Sequence, residues 1–170
     1  MASIFGHALA SIAIGNGFVK TRKTLKFWLL GIFCAVFPDA DVLGFKFGIK
    51  YASFWGHRGF SHSIVFAILL GLVITMLFYR KKQFGRYFLF FTMATISHAL
   101  LDALTTGGLG VAFFSPFENS RYFFPWRPIQ VSPIGIANFF TERGVGVIKS
   151  ELKWIGIPSI VFMILLRKWK

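Results

Sequence analysis

The sequence predicts an all-α protein, an integral membrane bundle of about four to five apolar helices with a long aromatic loop at the membrane interface. Hydrophobic residues make up 55% of the 170 residues and charged residues only 15%, whereas soluble domains carry roughly 25% charged residues. The apolar residues form separate runs of helical length, and short basic groups lie between them, as the positive-inside rule requires of cytoplasmic loops. At this length the chain, residues 1–170, is expected to form a single domain.

The net charge of +13 predicts contact with anionic membrane lipid. We do not expect a nucleic-acid partner, because the usual recognition motifs for nucleic acids do not occur in the sequence. Cys34 is the only cysteine, so an intramolecular disulfide is excluded.

The first apolar run covers residues 2–19, and a basic group follows it at residues 20–26. A signal peptide carries its positive charge first, so we predict an uncleaved helix whose N-terminus lies outside the cytoplasm. Ser3, His7 and Ser11 recur at steps of four and share one polar face. His7 is either a hydrogen-bonded interior residue or a ligand that acts with histidines from elsewhere in the chain.

The second apolar run, Leu25 to Phe37, would be about 20 Å long as a helix, which is short for a hydrocarbon core of roughly 30 Å. Flanking lysines extend it, or it enters the membrane only partway. Pro38 then breaks the helical pattern. Asp39 and Asp41 are expected to project to the same side of an extended segment as hard oxygen ligands, or else to form a solvated turn.

Residues 42–62 are rich in glycine and aromatic residues and predict an interfacial loop or short amphipathic helix. The loop ends in the stretch Trp55 to Ser63, which contains His57, Arg58 and His62. Imidazole nitrogens bind metals and a guanidinium binds anions, so this stretch could hold both. The alternative is a loop with two interfacial histidines beside a membrane helix.

Two further membrane helices are predicted at Ser63 to Tyr79 and at Tyr87 to Leu104. The second of these carries His98 and Asp102 one helical turn apart. An ionisable pair in an apolar helix is costly, so it must face the interior of the bundle or a cavity and have partners there.

From Thr105 to about Ser150 the pattern becomes irregular, with many Gly, Pro and aromatic residues, and predicts an interfacial lid. Arg121 and Arg127 are candidate substrate-binding residues that contact lipid head groups, although both could instead snorkel as structural residues. A last apolar run, Trp154 to Leu166, is interrupted by Pro158.

The basic groups at residues 20–26, 80–86 and 167–170 predict which end of each apolar run lies at the cytoplasmic face of the membrane. If these groups are cytoplasmic, the apolar runs alternate consistently, and all four histidines collect near the outer face with Asp39, Asp41 and Asp102. We therefore predict one shared site on the extracytoplasmic side. The alternative is the opposite insertion, which keeps the cluster intact but turns it toward the cytoplasm.

Such a site suits one or two divalent ions, with Zn favoured by the histidines and Mn or Fe as alternatives. A bound metal lowers the pKa of water to about 7, which permits hydrolysis of a phosphoester. Arg58 would neutralise the phosphate, and one of Asp39, Asp41 or Asp102 could serve as a base or orient a histidine.

The motifs Gly6-His7, Pro38-Asp39-Ala40-Asp41, Gly56 to Ser63 and His98 to Asp102 resemble a bacterial family of membrane-bound metal-dependent hydrolases, formerly a domain of unknown function, with LexA-regulated inner-membrane members. That family is in turn distantly similar to zinc-dependent phospholipase C and P1 nuclease. The resemblance implies an inner-membrane location and the following metal ligands: His7, Asp39, His57, His62, His98 and Asp102.

The sequence thus predicts a metal-dependent hydrolase that cleaves a phosphoester, with a phospholipid-like head group as the expected substrate and membrane lipid as the partner. The first alternative is a non-enzymatic membrane protein that holds a structural metal or carries a transported ion. The second is a polar cluster without metal, in which histidines and aspartates satisfy one another by hydrogen bonds.

Overall fold

The computed structural model describes residues 1–18, 24–80 and 83–168, and these residues form a helical protein without β-strands. Only two isolated bridge pairs occur among them, Thr105 with Ile129 and Val111 with Tyr122. The all-α prediction is therefore confirmed. Parts of the predicted basic groups, at residues 20–23, 81–82 and 169–170, lie outside the described residues.

In the described part of the chain, seven α-helices follow one another, with two 3₁₀ segments and one π-helical segment between them. The α-helices are α1 Ile4–Phe18, α2 Leu25–Val36, α3 Ile64–Phe78, α4 Phe84–Ala103, α5 Ile136–Phe139, α6 Glu142–Glu151 and α7 Ile157–Lys168. The 3₁₀ segments are Phe37–Phe47 and Phe60–His62, and the π-helical segment Leu152–Gly156 joins α6 to α7.

Helix α4 is the centre of the bundle, because α1, α2 and α3 all pack against it. Phe27 of α2 stacks on Phe90 of α4 with ring centroids 4.5 Å apart. Both rings are buried, together with Phe91 and Ile74. Helix α7 packs against α1. The residues of α4 that face inward are thereby held against three other helices.

Small residues allow the helices to approach closely. A Cβ at Gly71 of α3 would lie 2.2 Å from Thr92 Oγ1 and 2.8 Å from the Thr92 backbone nitrogen of α4. A Cβ at Gly31 of α2 would lie 2.6 Å from the Phe90 ring. The contacts of α4 with α2 and α3 therefore depend on the absence of a side chain at these positions.

One helical stretch among the described residues, Leu25–Phe47, is long and apolar enough to cross a membrane by length and composition. Helices α1 and α3 are apolar but shorter. Large apolar side chains are exposed on several helices, among them Leu29 at 57%, Leu77 at 66% and Ile157 at 59%. Such surfaces are typical of contact with lipid or another apolar partner. A bundle that crosses the membrane several times remains a prediction.

Two local expectations were wrong. Asp39 and Asp41 lie in a 3₁₀ segment and not in an extended one, because Pro38 is well placed in the first turn of a helix and the chain continues to coil after it. The irregular region is also shorter than predicted, since α5 and α6 form within it. The region before α5 is irregular as expected, and it carries both bridge pairs.

The packing of α3 on α4 gives a test of this fold. Gly71→Ala should destabilise the protein by about 1 to 3 kcal/mol, because the added methyl group has no space against Thr92. The measurement is thermal unfolding in detergent, followed by circular dichroism.

Gly85→Ala is the matched control, since a Cβ at Gly85 meets nothing within 4 Å. The same substitution should there be neutral or stabilise the protein by up to roughly 1 kcal/mol. Equal effects of the two substitutions would contradict the close approach of α3 and α4.

Candidate metal centre

Four segments of the chain bring seven His and Asp side chains together, which we call the His/Asp cluster. Helix α1 supplies His7, the 3₁₀ segment after α2 supplies Asp39 and Asp41, the loop before α3 supplies His57 and His62, and α4 supplies His98 and Asp102. His7, His98 and Asp102 are fully buried, His57 and His62 are 1% exposed, and Asp39 is 7% exposed. The structure thus assembles at one place the residues that the sequence predicted to share a site.

An inner group of this cluster has the spacing of a metal site. Its members are Asp39, His62, His98 and Asp102, each of which offers a ligand atom, and these four atoms lie within 4.8 Å of one another. The Nε2 atoms of His62 and His98 are 3.0 Å apart, and Asp39 Oδ1 lies 3.7 Å and 3.4 Å from them. Ligands about 2.05 Å from a tetrahedral zinc ion would be separated by about 3.3 Å. The inner group therefore surrounds a position of suitable size for such an ion.

Hydrogen bonds orient the two imidazole rings of the inner group. His98 Nδ1 lies 2.7 Å from the backbone oxygen of Ala35, which can only accept, so Nδ1 carries the proton and Nε2 is free to bind a metal. His62 Nδ1 faces Asp41 Oδ2 at 3.2 Å and Ser61 Oγ at 2.9 Å. Both rings therefore direct Nε2 toward the centre of the inner group.

An outer group consists of Asp41, His57 and His62, so His62 belongs to both groups. Asp41 accepts hydrogen bonds from His57 Nδ1 at 2.7 Å, Ser61 Oγ at 2.6 Å and the Arg58 backbone nitrogen at 3.2 Å. These contacts suit a carboxylate that orients histidines. The same three side chains could also hold a second ion.

Several buried polar atoms of the cluster have no hydrogen-bond partner. They are both ring nitrogens of His7 and both carboxylate oxygens of Asp39. His7 stacks on His98 with centroids 3.8 Å apart, and its Nε2 lies 3.5 Å from Asp102 Oδ1. Unpaired buried polar groups cost free energy, and a cation between them would satisfy them.

The electric field of the carboxylates also favours positive charge here. Burial lowers the pKa of His62, but contacts with Asp102, Asp39 and Asp41 outweigh burial and raise the pKa to about 10. A group with a raised pKa holds its proton more tightly than it would in water. A divalent cation in the inner group would supply the positive charge in place of that proton.

The loop between the two 3₁₀ segments is folded tightly around Arg58. A Cβ at Gly56 would lie 2.2 Å from the Tyr51 backbone oxygen, and one at Gly59 would lie 2.3 Å from that of Phe54. Arg58 itself has φ +63°, in the left-handed region of backbone conformation that residues other than glycine rarely adopt. This turn places His57 and Arg58 inside the protein, where both are almost completely buried.

The three arginines predicted to meet phosphate have different surroundings. Arg58 Nε lies 2.9 Å from Asp102 Oδ2, and its two Nη atoms donate to Gly107 O and Thr105 Oγ1. Arg121 donates to the backbone oxygens of three loop residues: His57 at 2.7 Å, Tyr51 at 3.0 Å and Ser53 at 3.1 Å. Arg127 is exposed and lies 4.7 Å over the Phe123 ring. Arg58 therefore lies in the cluster and Arg127 lies on the surface. Arg121 braces the loop that carries His57, because it holds three backbone oxygens of that loop.

Sequence reasoning missed Glu151, which lies at the end of α6 and is 6% exposed. Its carboxylate accepts hydrogen bonds from the backbone nitrogen and the hydroxyl of Ser3. The next residue back, Ala2, donates its backbone N–H to Asp102 Oδ1 at 2.7 Å. Glu151 thus fixes the segment that leads into His7. The sequence did not indicate this role, because a glutamate between Lys149 and Lys153 is typical of a solvated helix face.

The bracing role of Arg121 can be tested. Arg121→Lys should destabilise the protein by about 1 to 3 kcal/mol, because the single ammonium nitrogen of a lysine cannot occupy the positions of both Nη atoms that hold the three loop carbonyls. Arg127→Lys, the control, should stay within about 0.5 kcal/mol of the wild type. Thermal unfolding in detergent measures both, and a neutral Arg121→Lys would refute the bracing role.

Comparisons with known proteins place the chain in a family. A family model described as YdjM inner membrane protein matches residues 1–169. The Escherichia coli (strain K12) protein named inner membrane protein YbcI is 40% identical over 165 residues, which cover 96% of this chain and 95% of that protein. No solved structure matches the chain. With nearly the whole length matched in both comparisons, this chain belongs to the YdjM inner membrane protein family.

Proposed function

We propose that this protein is a metal-dependent hydrolase of the bacterial inner membrane that cleaves a phosphoester, with a phospholipid-like head group as substrate. The observation that carries the proposal is the inner group, in which four His and Asp ligands converge from distant segments and leave buried polar atoms unpaired. Mixed ligation by histidine and carboxylate suits Zn, with Mn as the alternative. The family description supports the membrane location.

Each residue of the cluster has a definite task in this proposal. Asp39, His62, His98 and Asp102 hold the ion, and His7 is close enough to Asp102 to complete the ligand set. When bound, the ion would lower the pKa of its water to about 7, so that hydroxide, the nucleophile that attacks phosphorus, would be available at neutral pH. A multi-pass topology with the site on the extracytoplasmic side accompanies this proposal, because the basic groups between the apolar runs favour it.

Asp41 and Arg58 act on the other residues of the site. Asp41 keeps His57 and His62 oriented through their Nδ1 atoms. Arg58 compensates the charge of Asp102 and places a positive charge beside the position where a phosphate would arrive. Arg121 stabilises the site indirectly, because it donates a hydrogen bond to the backbone oxygen of His57. Arg127 is exposed and can contact a lipid head group at the surface.

A structural or transported metal is the second candidate function. It is favoured by the complete burial of His98 and Asp102, since closed sites with four protein ligands are usually structural. This function predicts metal binding without turnover.

Metal content is the first test. Wild-type protein purified in detergent without chelators should contain one to two equivalents of Zn or Mn by elemental mass spectrometry, on the order expected for a site of this ligand count. His98→Ala should lose most of the metal, because it removes a ligand held in place by Ala35.

Glu142→Gln is the control, because Glu142 is exposed and lies in the first turn of α6. It should keep the wild-type metal content. If the wild type binds no metal even after reconstitution with Zn or Mn, both the hydrolase and the structural-metal functions are excluded.

Turnover is the second test. Wild-type protein in vesicles of phosphatidylethanolamine and phosphatidylglycerol should release a water-soluble phosphorus compound, measured by ³¹P NMR. Asp41→Asn should retain most of the metal but lose activity by about 10- to 100-fold, as is typical when a group that orients the ligands is altered. Metal-loaded wild type without turnover on these lipids and on soluble phosphoesters would support a structural or transported metal.

A further inference from the structure

An apolar cleft runs along the surface from α2 to the His/Asp cluster. It lies between the beginning of α1 and the second half of α2 and has a volume of about 540 Å³. Its lining includes Ile4, Leu29, Ile32, Phe33, Val36 and, at one end, Asp39. The volume lies within the range of small-molecule sites, roughly 300 to 1,000 Å³.

The chemistry of the cleft changes along its length. Ile4, Leu29 and Phe33 are 55%, 57% and 42% exposed, so the outer part presents apolar side chains to the surroundings. The charged groups of the lining are the Asp39 carboxylate, whose two oxygens lack hydrogen-bond partners, and the N-terminal ammonium of Met1, which lies 4.0 Å from Asp102 Oδ2. The cleft therefore joins a surface suited to the bilayer interior with a ligand of the inner group.

We propose that this cleft binds one acyl chain of a membrane glycerophospholipid and guides the polar part of that lipid to Asp39 and the inner group. The inference rests on the proposed function for the identity of the reacting group, but the binding of the chain is a separate property. Lipid enters from the side, between α1 and α2, without leaving the membrane.

The geometry fits a chain that lies along α2. Leu29 and Val36 are two helical turns apart, so the cleft follows α2 for about 10 Å before it reaches Asp39. An acyl chain has no polar groups and needs none from the lining. A peptide segment would bring backbone N–H and C=O groups that the apolar side chains along α2 could not satisfy, because the charged groups of the lining are confined to Asp39 and Met1.

The charge at the inner end fits a phosphate once a metal is bound. Asp39, Asp41 and Asp102 bring three negative charges, whereas Arg58 and the N-terminal ammonium of Met1 bring two positive charges. A divalent ion in the inner group would therefore leave no net negative charge, so the anionic phosphate of a lipid would not be repelled.

The test uses phosphatidylethanolamine with a diazirine in one acyl chain, incorporated into vesicles that contain the full chain. After irradiation, mass spectrometry of peptides should find excess label on residues 4 and 29–36 over the exposed apolar residues of α3 and α7. Val36→Trp and Ile32→Trp, which fill the cleft, should each lose most of that excess while circular dichroism shows an unchanged helical fold.

Leu77→Trp is the matched control, because Leu77 is 66% exposed on α3 and does not line the cleft. It should leave the labelling of the cleft unchanged. Equal labelling of all exposed helices in the wild type, or a cleft label that survives both filling substitutions, would overturn the proposal. So would an unlabelled cleft in a protein that remains dimeric in detergent, because a second copy of the chain would then cover it.

The labelling and the function tests can fail separately. Label in the cleft with no turnover would leave the lipid site standing and reject the hydrolase. Turnover of phospholipid with evenly spread label would retain the hydrolase and reject the cleft as the route of the substrate. Metal content measured on the same samples shows whether a filled cleft has disturbed the inner group.

Discussion

The burial of three carboxylates in a largely apolar protein is the constraint on which the rest of the structure depends. Asp102 is completely buried on α4, and Arg58 Nε and the Ala2 backbone N–H approach its oxygens from two sides. Each compensating group comes from a different part of the chain. The central place of α4 and the tight turn at Arg58 both follow from the need to bring positive charge and N–H donors to this carboxylate.

Contacts with the main chain fix the positions of two histidines of the His/Asp cluster. Ala35 O holds the ring of His98, and Arg121 holds the carbonyl of His57, so neither histidine depends on packing alone. Helix α2 contributes to this twice, since it supplies Ala35 and then leads into the 3₁₀ segment that carries Asp39 and Asp41. A shift of α2 against α4 would therefore displace Asp39 and Asp41 and at the same time disturb the ring of His98.

The helical class and the grouping of the site residues could be predicted from the sequence, because apolar runs and ionisable residues within them are local patterns. The one-turn spacing of His98 and Asp102 is an example. The bracing by Arg121 and the role of Glu151 could not be predicted from the sequence, because both residues act on residues far away in the chain. Glu151, for example, contacts Ser3 across 148 positions. The 3₁₀ form of residues 37–47 was missed because Pro-Asp is equally common in turns.

The origin of the ligands has a consequence for biogenesis. The inner group draws on the 3₁₀ segment after α2, on the 3₁₀ segment before α3 and on α4, so it does not exist until a nascent chain has been made through Asp102. Before that point Asp39 and His62 lack His98 and Asp102 as neighbours. Capture of the proposed ion would then mark the completion of this part of the fold and stabilise finished molecules over unfinished ones.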